Sequence, residues 1–357
     1  MEKTALVKEA YDLPHENLKT EKFGSGHIHV TYLVTSGDDK YIFQAFNKNV
    51  FRFPERISAN HRILSQHLGD SNLPFVLPLP IKNRNGAYFT EHQGQLYRLF
   101  RFVDGITKDA VDLPSQAQLA AEAFATFNKT FLNVPTKQLQ EPIPDFHHLI
   151  LRYQQLQTSF ENTRLILEPD VEALLDFYLD QTDLLEQYQR YQESLPLRAT
   201  HSDTKINNLI FDHKMTQVNA LIDLDTIMPG YLFYDFGDLV RTVTCTEDES
   251  SQRWGKIKVD MEKYAALLTG FCAPLFGAVS DEEIRSLPYG GEMMTYIMGL
   301  RFLADYLNGN VYYTIHYPEQ NLHRAKNQRE LLISLMENRE AIGLRMEETL
   351  TNLANKR

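Results

Sequence analysis

The 357-residue sequence predicts an α+β protein of two lobes: an N-terminal antiparallel sheet lobe and a larger, mainly helical C-terminal lobe. Three observations predict it. Up to about residue 105, apolar residues alternate over short runs between Gly-, Asp- and Asn-bearing turns, which is the period-two pattern of half-buried strands. Beyond Asp112 they recur at three- and four-residue steps over long stretches, which is the helical period. The length also exceeds what a single core usually supports. A boundary at about 105 follows, with residues 1–105 and 106–357 as the two lobes.

Composition narrows the class. A hydrophobic fraction of 43% and a charged fraction of 23% are ordinary for a globular protein. A formal charge of −11 argues against a nucleic-acid surface, which would show clustered Lys and Arg. It does not exclude an anionic nucleotide, because local backbone donors and a metal can outweigh global charge. Residues 1–10 alternate in charge without an apolar core, so no signal peptide is expected, and no apolar run approaches the length of a membrane span. Cys245 and Cys272 are too few for a disulfide framework and suit a reducing cytoplasm; neither has a His or Cys at ligand spacing, so no zinc site is expected. Oligomeric state is left open, with a monomer reasonable.

The elements follow in order. Residues 1–18 suit a short amphipathic helix closed near Pro14. Glu21-Lys-Phe-Gly24-Ser25-Gly26-His27-Ile-His29-Val reads as a strand, a Gly-x-Gly turn and a second strand. Two glycines let backbone amides approach phosphate oxygens, though the same residues equally suit a plain hairpin turn. His27 and His29 flank this loop. Tyr41 to Phe46 is a third strand, followed by a helix over about 55–68. In kinase-like lobes the third strand delivers a Lys to the phosphates; here the matching inward position is Gln44, without an evident acidic partner in the following helix. Gln95 to Phe100 is a strand running into Arg101-Phe-Val103-Asp-Gly105, where free backbone groups can pair with an adenine edge or merely close an edge strand. Ser115 is placed to cap a helix over 116–131, and helical patterns cover 145–195 (notably 170–193), 254–275, 281–287, 292–307 and 319–354.

The chemistry concentrates at Thr200-His201-Ser-Asp203-Thr-Lys-Ile-Asn-Asn208, followed by a strand, a turn at 212–214 and a returning strand into Asp223-Leu-Asp225. The spacing from Asp203 to Asp223 is 223 − 203 = 20 residues. Phosphoryl transfer from a metal-bound nucleotide needs a carboxylate to receive the attacking hydroxyl, and oxygen ligands to hold Mg²⁺ on the phosphates. Asp203 fits the first need; Asn208 and Asp223 fit the second. The bland alternative is Asx residues capping an ordinary hairpin. Asp235-Phe-Gly237 lies 235 − 203 = 32 residues beyond Asp203, too far for the metal strand, so Asp235 and Asp238 read as supports with Arg241 as a partner. Arg301 and Asp305 stand four apart on a helix, either as a surface ion pair or with Arg301 turned into a pocket toward substrate hydroxyls, and Tyr312, Tyr313 and Tyr317 follow.

Taken together these residues resemble the aminoglycoside phosphotransferase and choline kinase superfamily. More narrowly, the chain is similar to the bacterial N-acetylhexosamine 1-kinases. The broad likeness rests on His201-x-Asp203, Asn208 and Ile222-Asp223-x-Asp225; the narrow one adds 24–33, 200–208, 222–230, Asp235-Phe-Gly-Asp238 and 301–307. The resemblance implies a protein-kinase-like fold, with a nucleotide lobe before residue 105 and a catalytic and substrate-binding lobe after it. It also implies ATP and Mg²⁺ as cofactors, and transfer of the γ-phosphate to the anomeric hydroxyl of N-acetylglucosamine or N-acetylgalactosamine. By position it makes Asp203 the catalytic base, Asn208 and Asp223 the Mg²⁺ ligands, and Gly24, Ser25, Gly26, Gln44, Arg101 and Val103 the nucleotide side. His27, Asp203, Asp225 and Arg301 become the sugar side. Departures are Ser202, where the superfamily often has Gly or Asn, and the missing third-strand Lys. Alternatives are a kinase of choline, homoserine or an aminoglycoside, and a silent nucleotide-binding regulator.

Overall fold

A computed structural model describes residues 2–14, 17–24, 29–48, 50–69 and 73–356. Ser25 and Gly26, expected in the phosphate loop, and His27, expected on the sugar side, lie outside the described residues. Helix α1 (Glu2–Ala10) lays Leu6 and Val7 against a five-stranded antiparallel sheet. The strands are β1 (Leu18–Lys22), β2 (Val30–Ser36), β3 (Asp39–Ala45), β4 (Thr90–His92) and β5 (Gln95–Arg101), in spatial order β1-β2-β3-β5-β4. Side chains alternate across a strand. Val34, Tyr41, Phe43, Tyr97 and Leu99 therefore share the face that packs on α1, while Gln44 and Arg98, directly opposite each other, face the other way. Helix α2 (Pro54–Leu68) follows β3 with Pro in its first turn, where a missing N–H costs nothing.

After β5 the chain crosses through Gly105 (φ +142°), where a Cβ would stand 2.2 Å from the Phe211 carbonyl oxygen. Only glycine fits there. The crossing is fastened by paired backbone bonds, Ile106 N to Phe211 O and Phe211 N to Ile106 O, both 2.9 Å.

The larger part is helical: α3 (Pro114–Thr130), α4 (Leu149–Asn162), α5 (Pro169–Leu179) and α6 (Thr182–Ser194). Four short strands then form two ribbons, β6 (Arg198–Thr200) with β9 (Met228–Gly230), and β7 (Leu209–Phe211) with β8 (Val218–Leu221). The chain ends with α7 (Leu232–Val243), α8 (Met261–Leu275), α9 (Asp281–Arg285), α10 (Leu287–Leu307), α11 (Gln320–Glu337) and α12 (Arg339–Ala354). Apolar faces of α3, α7 and α8 share one core; α4, α5 and α10 share another. Helices α7 and α10 touch backbone to backbone, since a Cβ at Gly237 would lie 2.1 Å from the Gly290 carbonyl.

The α+β class stands, with an N-terminal antiparallel sheet and a larger helical remainder. Several helix limits are corrected. Helix α3 begins at Pro114 rather than behind a Ser115 cap; the Gln116 side chain instead accepts from Asp112 N (3.1 Å) and Leu113 N (3.2 Å). The 170–193 stretch breaks at Asp180–Gln181, and the 319–354 stretch breaks at Asn338. The 254–275 stretch is a 3-10 turn followed by α8, whose start is fixed by Asp260 accepting from Glu262 N and Lys263 N, each at 3.1 Å. Among the described residues no helix is long and apolar enough to cross a membrane.

Candidate active site

The loop after β6 is held from below by α7. The buried carboxylate of Asp235 accepts from His201 N and Ser202 N (2.8 Å each) and from Asn128 Nδ2 of α3 (2.8 Å). Asp238, one turn on, accepts from Thr204 N at 3.0 Å and pairs with Arg241 at 2.8 Å. An ionised acceptor shared by several donors makes strong bonds, which is what a loop backbone needs when it departs from regular structure. Ser202 does depart, with φ +64°; His147 Nε2 donates to its carbonyl at 2.9 Å and so fixes that peptide. The ring of His147 is buried, and burial depresses its pKa to about 4. The Asp-Phe-Gly string is thus a helical support, and its glycine is the α7–α10 contact.

Asp203 projects from this strained turn. Lys205 Nζ lies 2.9 Å from its Oδ1 and Asn208 Nδ2 donates to Oδ2 at 3.0 Å. Burial disfavours its charge, but the Lys205 ammonium outweighs that and holds the carboxyl below its ordinary pKa. Asp203 is therefore an ionised acceptor. The β7–β8 ribbon carries Asn208 to the same end as Asp223, because Ile222 N donates to Asn208 O at 2.9 Å. Asp223 adopts left-handed φ +58°, which turns the chain sharply into the 3-10 turn Leu224–Thr226. Among the described residues no donor reaches the Asp223 carboxylate or Asn208 Oδ1. Burial, then the like charges of Asp225 and Asp203, push the Asp223 carboxyl up to about 7. An amide oxygen and an unpartnered carboxylate, both hard oxygen donors, are a fitting pair for Mg²⁺, although the described residues contain no cluster of three His, Cys, Asp or Glu of the kind that would hold a metal by themselves.

The carboxylate two residues on from Asp223 has a sharply different environment. Asp225, 1% exposed, receives Arg98 Nη1 on Oδ1 (2.5 Å) and Arg98 Nη2 on Oδ2 (2.6 Å), with His29 Nε2 at 3.2 Å from Oδ2. Asn47 N donates to His29 Nδ1 at 3.0 Å, so the other nitrogen of the neutral ring bears the proton and donates to Asp225. Burial opposes the Asp225 charge; Arg98 and His29 overcome it and hold the carboxyl well below the ordinary range.

Arg301, on α10, has the opposite setting. Its guanidinium stands over the rings of Phe146 (5.1 Å), Tyr313 (5.5 Å) and Tyr312 (5.6 Å), and among the described residues no carboxylate lies within ion-pair distance of it. Asp305 is not its partner. That carboxylate gathers the backbone N–H groups of Val311 (2.9 Å), Tyr312 (2.8 Å) and Tyr313 (3.0 Å), and so shapes the loop that lays the tyrosines beside Arg301.

Residues 19–266 match the phosphotransferase enzyme family. The chain belongs to this family. Its fold is similar to that of a microcompartment-associated aminopropanol kinase (TM-score 0.64, 18% identity, covering 97% of this chain and 98% of that one). It is also similar to choline kinase from Cryptosporidium parvum Iowa II (TM-score 0.59, 13% identity, 98% of each chain). A third likeness is to a spectinomycin phosphotransferase solved with ADP and spectinomycin (TM-score 0.55, 12% identity, 94% of this chain and 96% of that one). At such identities the likeness is one of fold.

In this phosphotransferase the sequence-derived candidates are spread over several parts of the fold. Asp203, Asn208 and Asp223 meet at the end of one ribbon. Arg101 and Val103 lie at the end of β5 and just beyond it, where no described residue pairs with the Val103 N–H or C=O. Gln44 does not stand free at the site: its Oε1 accepts from Arg98 Nε (2.9 Å) and Nη2 (2.6 Å). Gly24 has φ +72° at the entry to the undescribed loop. Sequence reasoning missed Arg98, His61 and His147. Arg98 did leave a signal, a lone charge inside the alternating strand Leu96-Tyr-Arg98-Leu-Phe100; the two histidines left none.

Proposed function

We propose that this phosphotransferase is an ATP-dependent kinase that transfers the γ-phosphate to the anomeric hydroxyl of an N-acetylhexosamine, giving the 1-phosphate. The observation that carries the reading is the pairing, at one ribbon end, of an ionised, tethered Asp203 with an Asp223 carboxylate that has no protein donor. In this reading Asp203 Oδ accepts the hydrogen bond of the acceptor hydroxyl, aligns its oxygen with the γ-phosphorus and takes its proton as the new oxygen–phosphorus bond forms and the bond from the γ-phosphorus to the bridging oxygen breaks, with ADP as the leaving group. Lys205 and Asn208 keep the Asp203 carboxylate from rotating away. Asn208 Oδ1 and Asp223 would hold Mg²⁺, which neutralises charge on the phosphate oxygens. The Val103 backbone would take the adenine edge, with Gly24, Ser25 and Gly26 as the phosphate loop. Residues 1–105 would serve the nucleotide and 106–357 the acceptor, in a cytoplasmic enzyme. The neighbour with bound ADP agrees with ATP as donor.

The acceptor assignment rests on the family resemblance and on Arg301. The aromatic surface that would bind a cationic acceptor is already covered by the protein's own cation. That disfavours choline and aminopropanol, the acceptors named for two of the fold neighbours, and favours a neutral molecule rich in hydroxyl and carbonyl acceptors. The test is a coupled ADP-release screen over N-acetylhexosamines, hexoses, choline, ethanolamine, homoserine and kanamycin. Turnover with an N-acetylhexosamine is expected, and Asp203→Asn should lower kcat by about 10³-fold while Mg·ADP binding is kept. Turnover with only a cationic acceptor would replace this reading by an amino-alcohol or aminoglycoside kinase; nucleotide binding without any acceptor-stimulated turnover would point to a silent regulator.

A further inference from the structure

The third-strand position that carries a phosphate-directed Lys in kinase-like lobes is Gln44 here, and Gln44 does not act alone. Directly across the sheet, in register with it, stands Arg98 of β5. Arg98 is 2% exposed, flanked by the rings of Phe100 (5.0 Å), Phe46 (5.2 Å) and Phe89 (5.9 Å). Its planar fork is divided between two partners: Nε and Nη2 donate to Gln44, and Nη1 and Nη2 to Asp225. Gln44 therefore orients the guanidinium edge-on to a carboxylate 127 residues away in sequence. A lysine could not reproduce this, because a single ammonium has no rigid fork to meet both carboxylate oxygens.

The recipient is the turn that begins at Asp223. That turn is gripped from other directions as well. Asn60 Nδ2 of α2 donates to Ile227 O (2.8 Å), His61 Nε2 of α2 to Leu224 O (3.3 Å), and His201 Nε2 of the candidate catalytic loop to Ile222 O (3.0 Å). Thr226 Oγ1 donates back to His201 O (2.8 Å). Asp225 is reached from the sheet end by two side chains, His29 just before β2 and Arg98 of β5, and the Arg98 contact is the bidentate ion pair. It also gives the carboxylate next but one to Asp223 its counterion, whereas among the described residues Asp223 has none.

We propose that Arg98 is a positioning residue: together with Gln44 it replaces the third-strand lysine, and through Asp225 it sets the Asp223 turn relative to the sheet that carries the nucleotide. This rests on the reading of Asp223 as a Mg²⁺ ligand. The inference separates two tasks that a third-strand Lys performs at once. Arg98 keeps the geometry between sheet and turn, and the charge at the phosphates is left to the metal side.

The experiment measures Mg·ADP binding by calorimetry, together with kcat, the half-saturating Mg²⁺ concentration and both KM values, for the full chain. Arg98→Lys is expected to weaken Mg·ADP binding about tenfold and lower kcat about 10²-fold, with the acceptor KM changed less than twofold. Gln44→Leu, which leaves the ion pair in place, should shift the same parameters in the same direction by about threefold. A folded Arg98→Lys protein with wild-type Mg²⁺ dependence and Mg·ADP affinity would overturn the proposal. If Arg98→Lys does not fold, unchanged values for Gln44→Leu would overturn it instead. Asp223→Asn separates the two readings: Mg·ADP binding that survives this change refutes the Asp223 assignment, whereas loss of binding there with no effect at Arg98 and Gln44 refutes only the role of Arg98.

Discussion

Two arginines mark the two ends of the candidate site, and they solve opposite problems. Arg98 is enclosed by the sheet and α2, and every side of its guanidinium is answered: an amide oxygen, a bidentate carboxylate and aromatic faces. Arg301 is half-buried against Phe146, Tyr312 and Tyr313, and among the described residues its polar contacts are only the Met298 sulfur at 3.6 Å and the Tyr312 hydroxyl at 3.5 Å. A cation with a full set of partners is a structural member; one with rings and no counterion still has donors to offer. In the proposed reaction the same kind of side chain thus serves both to fix the nucleotide end and to meet the acceptor at the other.

The largest expected effect tests the closed end. Asp225→Asn leaves Arg98 charged, buried and uncompensated, which costs on the order of 3–5 kcal/mol. Urea denaturation should show that loss together with a collapse of turnover; a loss below 1 kcal/mol would mean that Arg98 is less enclosed than its contacts indicate. At the open end, Arg301→Ala removes charge-assisted donors to acceptor worth roughly 1.5–3 kcal/mol, or about 10- to 150-fold in kcat/KM for the acceptor. Stability and the KM for ATP should change little. An equal loss in ATP affinity would break the contrast between the two ends.

The contrast also carries a pH signature. His61 stands beside Asp225 and His147 behind Ser202, and burial first of all depresses each from the usual 6.5 to about 4. Between those values the unfolded chain takes up the proton and the folded one does not. Stability is therefore full above pH 6.5 and falls as pH drops toward 4, by about 2 kcal/mol per histidine at pH 5. Denaturation of His61→Gln and His147→Gln at pH 7 and pH 5 reads each share, and a share from one histidine alone would show that only one end excludes water. The smallest effect concerns Asp305→Asn. It weakens the acceptor for three backbone donors, so the tyrosine loop should loosen and the acceptor KM rise about threefold to tenfold. Rescue of acceptor binding without any ordering of residues 311–313 would detach that loop from Arg301.

Much of this was legible in the sequence, and the parts that were not have a common cause. The ribbon joining Asn208 to Asp223 could be read because its partners are close in sequence and a tight turn dictates their pairing. The sheet and the helices followed from periodicity. Periodicity states which face of an element is buried but not what it is buried against, so the link from Arg98 to Asp225 could not be read, nor could the link from Asn128 to Asp235. Gln44 lies on the face of β3 that periodicity gives it, but its contact with Arg98 of β5 could not be read, because strand pairing is not stated by periodicity. The break at Asn338 was also hidden: no Pro or Gly marks it, and apolar spacing continues across it. Asp235-Phe-Gly is set apart by spacing from the strand that leads to Asp223, and it lies in α7, where its carboxylate accepts from the loop backbone.

The glycine contact between α7 and α10 has a consequence for how acceptor choice can change. One end of α10 is locked against the helix that supports the 201–204 backbone, at Gly290; Arg301 lies 301 − 290 = 11 residues further along the same helix. At 1.5 Å per residue that is a fixed span of about 16 Å. Helix α10 therefore works as a ruler, and its register selects where the arginine points. Inserting or deleting one residue between positions 291 and 300 would swing Arg301 by about 100° and move it by about 1.5 Å, turning its guanidinium off the rings of Phe146, Tyr312 and Tyr313.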